Sequence, residues 1–271
     1  MVEAFEYQDG SEGKIDIGQS FETTYEMFQG KDPRFLASIY VPGSSLLGST
    51  MQFQRGLILK DGSKYYAQSA PGPSYLLETY IDPETQRKDT IFGKDGGTYT
   101  GDASKTGFNI RKFVNENLKT EAQWDFGKTE TSFPIFRLAE VYLNLAEAAV
   151  EMGKYQTEAF EAIKKIRDRA GVVTPFAVVD VEKVRHERQV ELAFEGHRFW
   201  DMKRWRIAHL PVDQGGLNGF RGAGLHPFFD LRIRKYVFEV ANDLPKRQRV
   251  FTEKNYYTKF SGNDMNSNPS L

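Results

Sequence analysis

A chain of 271 residues with 39% hydrophobic and 27% charged content is long enough for one large domain, or two small ones, around a true core. Its net charge of -1 leaves no field to hold nucleic acid or an anionic membrane surface. With no cysteine it has no disulfide, no thiolate nucleophile and no thiolate metal ligand.

No apolar run of about 18 residues is present to make a transmembrane helix. The opening Met1-Val2-Glu3-Ala4 lacks the basic start and apolar core of a signal peptide. The expectation is a cytoplasmic protein, or a longer one whose N-terminal part is missing. Aromatic content is unusual at 14%, and such an excess means either core or a surface that stacks on flat ligands.

Residues 1–130 form a loop-rich, aromatic region. Turn signals recur at Asp9-Gly10, Gln29-Gly30, Pro42-Gly43, Asp61-Gly62, Pro71-Gly72-Pro73 and Asp95-Gly96-Gly97. Short apolar pieces, Phe35–Val41 and Gly56–Leu59, lie between them. Phe21–Phe28 is the best short helix, and Phe108–Val114 reads as a strand by its aromatic and β-branched content.

Residues 131–271 form a helical frame and a C-terminal coda. Helices are predicted near 132–152, 155–170, 180–195 and 198–208. The first carries Pro134 in its opening turn and stops at Gly153. Leu138, Tyr142, Leu145, Ala149 and Met152 form one apolar stripe, and Ala139, Leu143, Ala146 and Val150 a second, so this helix is expected to be buried on several sides. The Gly153-Lys154 link forces an antiparallel hairpin with the second helix, which ends at Gly171. Asp180 is the N-cap of the third. Phe199, Trp200 and Trp205 on the fourth are expected in the core. Tyr236–Val240 reads as a strand.

Dense charge pairing marks the frame: Arg137, Glu140, Glu147, Glu187, Arg188, Glu191, Glu195, Arg198, Asp201 and Arg204. One reading makes Glu191 and Glu195 the acid/base pair of a glycoside hydrolase. The simpler one is a structural ion network. The acids are matched nearly one for one by arginines, which hold carboxyl pKa values low rather than raise one for acid catalysis.

Other chemistries lack their patterns. His186-Glu187 begins like HExxH, but Val190 stands where the second histidine belongs, and His197, His209 and His226 lack ligand spacing. No G-x-S-x-G or P-loop spacing occurs. No metal and no cofactor is expected. Tyr65, Tyr66 and Tyr75 in Gly/Pro/Ser-rich loops, and Trp124 in a polar context, are divided between core and exposed stacking surface.

Phe136–Ala148 (FRLAEVYLNLAEA) resembles the signature helix of the SusD/RagB family, and Ile163–Gly171 and Glu187–Trp205 follow at matching distances. Lys31-Asp32-Pro33-Arg34, Phe108–Val114 and the closing Asn268-Pro269-Ser270-Leu271 add to the resemblance. It covers nearly the whole chain, but only the C-terminal portion of the family's domain.

The resemblance implies a mainly α fold with extensive irregular loops and a few short strands, in which tetratricopeptide-like helical hairpins support a loop-rich ligand-binding region. It also implies a non-catalytic, lipid-anchored protein of the Bacteroidetes outer membrane. Such proteins bind oligosaccharide, or peptide in the RagB branch, and cap a SusC-like TonB-dependent transporter barrel. The anchor cysteine, signal peptide and N-terminal helix pairs of that family are absent from this sequence, which points to a fragment. Family binding aromatics lie upstream of the signature helix, so Tyr65, Tyr66, Tyr75 and Trp124 are the binding candidates.

Overall fold

The computed structural model describes residues 1–66, 79–95, 104–117, 131–241 and 248–257. Its helices are α1 (Pro33–Ser38), α2 (Leu138–Glu151), α3 (Gln156–Ala170), α4 (Val181–Glu191) and α5 (His197–Arg204). Its strands are short: β1 (Ser20–Phe21), β2 (Ile39–Tyr40), β3 (Ser45–Leu46), β4 (Ser49–Thr50), β5 (Gly56–Ile58), β6 (Lys64–Tyr66), β7 (Thr79–Ile81), β8 (Lys88–Thr90), β9 (Asn109–Ile110), β10 (Gly224–Asp230) and β11 (Lys235–Ala241). The fold is thus a helical frame with extensive loops and short strands, and among the described residues no helix is long and apolar enough to cross a membrane.

The chain forms two compact units, Met1–Glu195 with Ala223–Leu244, and Gly196–Gly222 with Pro245–Leu271. In the first, α2 and α3 make the expected hairpin. Small residues let the helices approach closely: Ala146, Ala149, Ala159 and Ala162 are buried around Leu143, Ile163 and Ile166. Tyr155 (φ 59°) opens α3 and Gly171 (φ 74°) closes it, both left-handed. Asp180 caps α4, its side chain accepting from the Lys183 backbone N–H at 2.8 Å.

Helix α2 starts later than its pattern predicts. Pro134 lies outside it, because Arg137 is extended (φ -152°, ψ 160°). From that conformation the Arg137 guanidinium reaches two buried carboxylates, described below. A further helical turn offers about 1 kcal/mol per hydrogen bond. Leaving a buried carboxylate unpaired costs about 3–5 kcal/mol, so the ion contacts decide the boundary.

Burial of α2 also differs from expectation. Ala139, Leu143 and Ala146 are buried, but Leu138 is 64% exposed, and Leu145 and Met152 are exposed beside it. Ile135, just ahead of the helix, is 87% exposed. Ala149 and Tyr142 of the first stripe join the second in packing on the α2–α3–α4 core, while Leu138, Leu145 and Met152 face solvent.

Helix α4 ends at Glu191 rather than near 195, because Phe194 (φ 66°) and Gly196 (φ 82°) turn the chain left-handed. The Phe108–Val114 strand shortens to β9, paired with β2. Phe21–Phe28 is not an α-helix: it gives β1 and a 3-10 turn at Glu26–Phe28. The predicted strand near 236–240 is β11.

A five-stranded sheet, ordered β1-β11-β10-β5-β6, joins strands from both ends of the chain. Cross-strand partners share a face. One row runs Tyr65–Leu57–Phe229–Tyr236–Phe21 and the adjacent row Tyr66–Gly56–Phe228–Val237–Ser20, on opposite faces. The first face is the core side: Leu57, Ile91, Phe92 and Leu231 bury with Tyr65, Tyr80 and Phe229, and Phe238 buries with Phe5, Phe28 and Phe35.

In the second unit Met202 and Ala208 bury with Phe251 and Tyr256. Trp200 is 65% exposed, against the expectation that it would be core, and Phe199 is exposed beside it. The reason is helical period: at about 100° per residue, Trp200 points ~200° away from Met202, so burying the methionine turns the indole out. Trp205 is half-buried, with Arg198 and Arg204 over its ring at 5.7 and 4.8 Å.

Candidate functional site

The charged residues of the frame form a buried network in the first unit. Arg137 donates from Nη1 to Glu191 at 2.6 Å, from Nε to Glu195 at 2.7 Å, and from Nη2 to the Glu191 carbonyl at 2.7 Å. Glu191 also accepts from Arg34 at 2.9 Å and Arg169 at 2.7 Å. Lys112 reaches Glu195. Glu187 accepts from Arg34 at 2.5 Å and from the fully buried Arg167 at 2.9 Å. Arg188 bonds the Asn144 amide oxygen at 2.9 Å and stands 3.5 Å from Glu140. Glu147 is buried on the same frame.

Of the other three network candidates, Arg198, Asp201 and Arg204 belong to the second unit, where Arg204 pairs with Asp201 at 2.9 Å. Sequence reasoning missed Arg34, Lys112, Arg167, Arg169 and Glu6, whose carboxylate pairs with Arg167. Lys31-Asp32-Pro33-Arg34 carried a local signal for the Asp32 cap beside Arg34, but none for its distant carboxylates. Asp32 caps α1 by accepting from the Arg34 backbone N–H at 2.8 Å, and it also holds the Arg34 guanidinium.

Electrostatics follow from this wiring. Burial alone would raise the Glu191 carboxyl, but hydrogen bonds from Arg137 and Arg34 hold it below its ordinary value. Glu195 behaves likewise, burial being outweighed by Arg137 and Lys112. Neither carboxyl is poised as a proton donor at neutral pH, and each already has its oxygens engaged. Among the described residues no cluster of three or more His, Asp or Glu is placed to hold a metal ion.

The aromatic candidates separate. Tyr65 turns to the core face, half-buried and tilted against Tyr80 with ring centroids 5.8 Å apart. Tyr66, one residue on, turns to the other face and is 43% exposed. Its cross-strand neighbour is Gly56, whose missing side chain lets the Tyr66 ring meet Phe228 edge-on, centroids 5.7 Å apart. A Cβ at Gly56 would stand 2.5 Å from the Tyr65 carbonyl oxygen and 3.2 Å from the Phe228 ring. Lys64 lies on the same face, 5.6 Å from the Phe228 centroid and paired with Glu239. The face is a partly exposed ring rimmed by a cation and a carboxylate. Tyr75 and Trp124 lie outside the described residues.

A model of the SusD family matches residues 1–270. The chain belongs to the SusD family. It is similar to SusD-like protein P25 of Formosa agariphila, with 39% identity over 80 residues, covering 27% of this chain and 15% of that protein. SusD-like protein P2 of the same organism is 31% identical over 101 residues, covering 33% of this chain and 20% of that one. Among solved structures, a SusD-like protein of Bacteroides fragilis superposes with a TM-score of 0.58 at 27% identity, over 95% of this chain and 42% of that one. A SusD-like carbohydrate binding protein of the same organism superposes with a TM-score of 0.51 at 27% identity, over 77% of this chain and 35% of that one. The chain therefore spans less than half the length of each of these relatives.

Proposed function

We propose that this SusD-family chain is a non-catalytic, glycan-binding part of a nutrient-uptake system. It acts at the outer face of the outer membrane, as part of a lipid-anchored protein, and delivers oligosaccharide to a SusC-like TonB-dependent transporter. The observation that carries the binding step is Tyr66: a partly exposed ring on the sheet face away from the core, rimmed by Lys64 and Glu239. Pyranose rings present flat C–H faces with hydroxyl edges. An aromatic ring matches the face, and charged or amide groups match the edge.

Tyr75 and Trp124 are the further loop candidates for the same surface. The 1–130 region supplies the ligand-facing aromatics, and the 131–271 region supports them and adds Glu239 to the rim. A solved relative described as a carbohydrate binding protein supports the ligand class. The ionised, arginine-paired Glu191 and Glu195 support binding without turnover.

Calorimetric titration with a panel of oligosaccharides and peptides tests the reading. Oligosaccharide binding by the wild type, weakened in Tyr66→Ala, is the expected result. Identical isotherms for both proteins overturn the site, and peptide binding without glycan binding overturns the ligand class. Release of reducing ends from a bound oligosaccharide overturns the non-catalytic assignment. Co-purification with a transporter barrel from outer membranes tests delivery.

A further inference from the structure

A half-open cavity of about 560 Å³ lies in the first unit, lined by the 22–25 segment, the 50–54 segment, Thr90, Gly93 and Tyr236. Its size falls within the ~300–1,000 Å³ usual for small-molecule sites. It is distinct from the Tyr66 surface, because Tyr236 belongs to the sheet row of Tyr65, on the opposite face from Tyr66.

The lining mixes apolar Met51 and Phe53 with polar side chains, several of which are uncommitted. Thr24, Tyr25 and Tyr236 are half-buried, and among the described residues their hydroxyls make no hydrogen bond; the Gln52 carboxamide is likewise unengaged. Gln54 differs, its amide nitrogen being held by the Thr90 carbonyl at 2.7 Å. Gln52 is exposed and the three hydroxyls are reachable by solvent, so each can exchange its water for a ligand that supplies donors and acceptors together.

The walls are held close by glycine. Gly43 sits at φ 90°, and a Cβ there would come 2.9 Å from the Tyr25 Cβ. A Cβ on Gly93 would stand 2.1 Å from the Gln52 carbonyl oxygen. Backbone therefore fixes the positions of Tyr25 and Gln52 rather than leaving them to side-chain packing.

Charge decides the ligand class. The described lining carries one charged residue, Glu22, whose carboxylate meets Lys235 at 3.0 Å. Among the described residues no lining cation is present to receive a carboxylate or sulfate. An anionic group entering here would lose hydration and meet hydroxyl and amide donors but no compensating positive charge among the described lining residues. Vicinal hydroxyls, each both donor and acceptor, fit hydroxyl and carboxamide walls.

We propose that this cavity is a second saccharide subsite, selective for neutral, hydroxyl-rich sugar units over uronic or sulfated ones. It rests on the glycan reading above for its ligand class but not for its residues.

Titration of the full chain with neutral gluco-, manno-, xylo- and galacto-oligosaccharides, and with oligogalacturonate, separates the two. The expected result is two neutral equivalents per chain. Tyr66→Ala removes one of them. Tyr25→Phe and Tyr236→Phe each weaken the other about twofold to tenfold, the range of one net hydrogen bond. Because these hydroxyls have no described intramolecular partner, both variants keep the native melting temperature, which controls for misfolding.

A single equivalent that responds only to Tyr66→Ala overturns the cavity and leaves the surface reading standing. A single equivalent that responds only to the tyrosine-to-phenylalanine variants supports the cavity and overturns the surface. Oligogalacturonate bound as tightly as neutral sugar, and weakened by the same phenylalanine variants, overturns the selectivity. No binding of any neutral oligosaccharide overturns both sites.

Discussion

The Arg34 guanidinium meets the Glu187 carboxylate at 2.5 Å, although 153 positions separate them in the chain. The contact ties α1, in the loop-rich region, to α4 of the helical frame. Both side chains are nearly withdrawn from solvent, and Asp32 braces the guanidinium from the other side at 2.7 Å. Removing one partner strands the other charge. Arg34→Met and Glu187→Gln should each lower unfolding free energy by about 3–5 kcal/mol, read from urea denaturation. A change within the surface range of about 0.5 kcal/mol would mean the pair is not buried in solution.

Acid should unfold the protein through Glu191 and Glu195. Their carboxyls lie below the ordinary value of 4.5 in the folded chain, so the unfolded chain binds more protons as pH falls through that range. Stability is complete above pH 4.5 and declines below it. Glu191→Gln should be less stable at neutral pH and show a shallower acid decline than wild type in urea midpoints. Parallel declines would show that other carboxylates carry the acid transition.

Lys31 should act in alkali, where its ammonium titrates. Burial pushes that ammonium down to about 8 from 10.5, though Glu3 pulls it up. Its Nζ reaches the Phe5 and Gly13 carbonyls and lies 4.6 Å from the Tyr7 ring centroid. Between pH 8 and 10.5 the unfolded chain holds a proton that the folded chain has released, so stability rises with pH across that window. Lys31→Met should abolish the rise in thermal melts. A rise of equal slope in the variant would assign it elsewhere.

Buried and exposed apolar positions in and just ahead of α2 should respond differently to substitution. Leu143→Ala opens a cavity in the α2–α3–α4 core and should cost about 2–5 kcal/mol. Ile135→Ser and Leu138→Ser, on the solvent side, should change stability by no more than about 0.5 kcal/mol. Losses from the serine variants approaching that of Leu143→Ala would show that this face is covered in solution.

Gly171 closes α3 at φ 74°, and a Cβ added there would meet no atom within 4 Å. Gly171→Ala should therefore report backbone strain alone, about 1–2 kcal/mol, in urea denaturation. Asparagine, which tolerates this conformation, should recover part of that loss.

Local signals were legible in the sequence. Asp180 as a cap, Gly171 as a stop, the Gly153-Lys154 link and the 3.6-residue pattern of Ala159, Ala162, Ile163 and Ile166 each act within a few residues, where backbone geometry is decided. The family motif in Phe136–Ala148 was legible for the same reason: it is one contiguous segment, most of it the first turns of α2. So was the matching of acids to arginines, since charge balance needs no coordinates. Tertiary structure decided what depends on distant partners. Arg137 left the helix because two buried carboxylates on and beyond α4 claimed its guanidinium. Trp200 turned outward because Met202 took the inward direction. Tyr65 and Tyr66 look equivalent as letters, yet pairing with Leu57 and Gly56 sent one to the core face and the other outward. Arg34 and Arg167 gave no sign in the sequence that they would meet Glu187, because a contact across such separations is set by the packing of elements rather than by any local pattern.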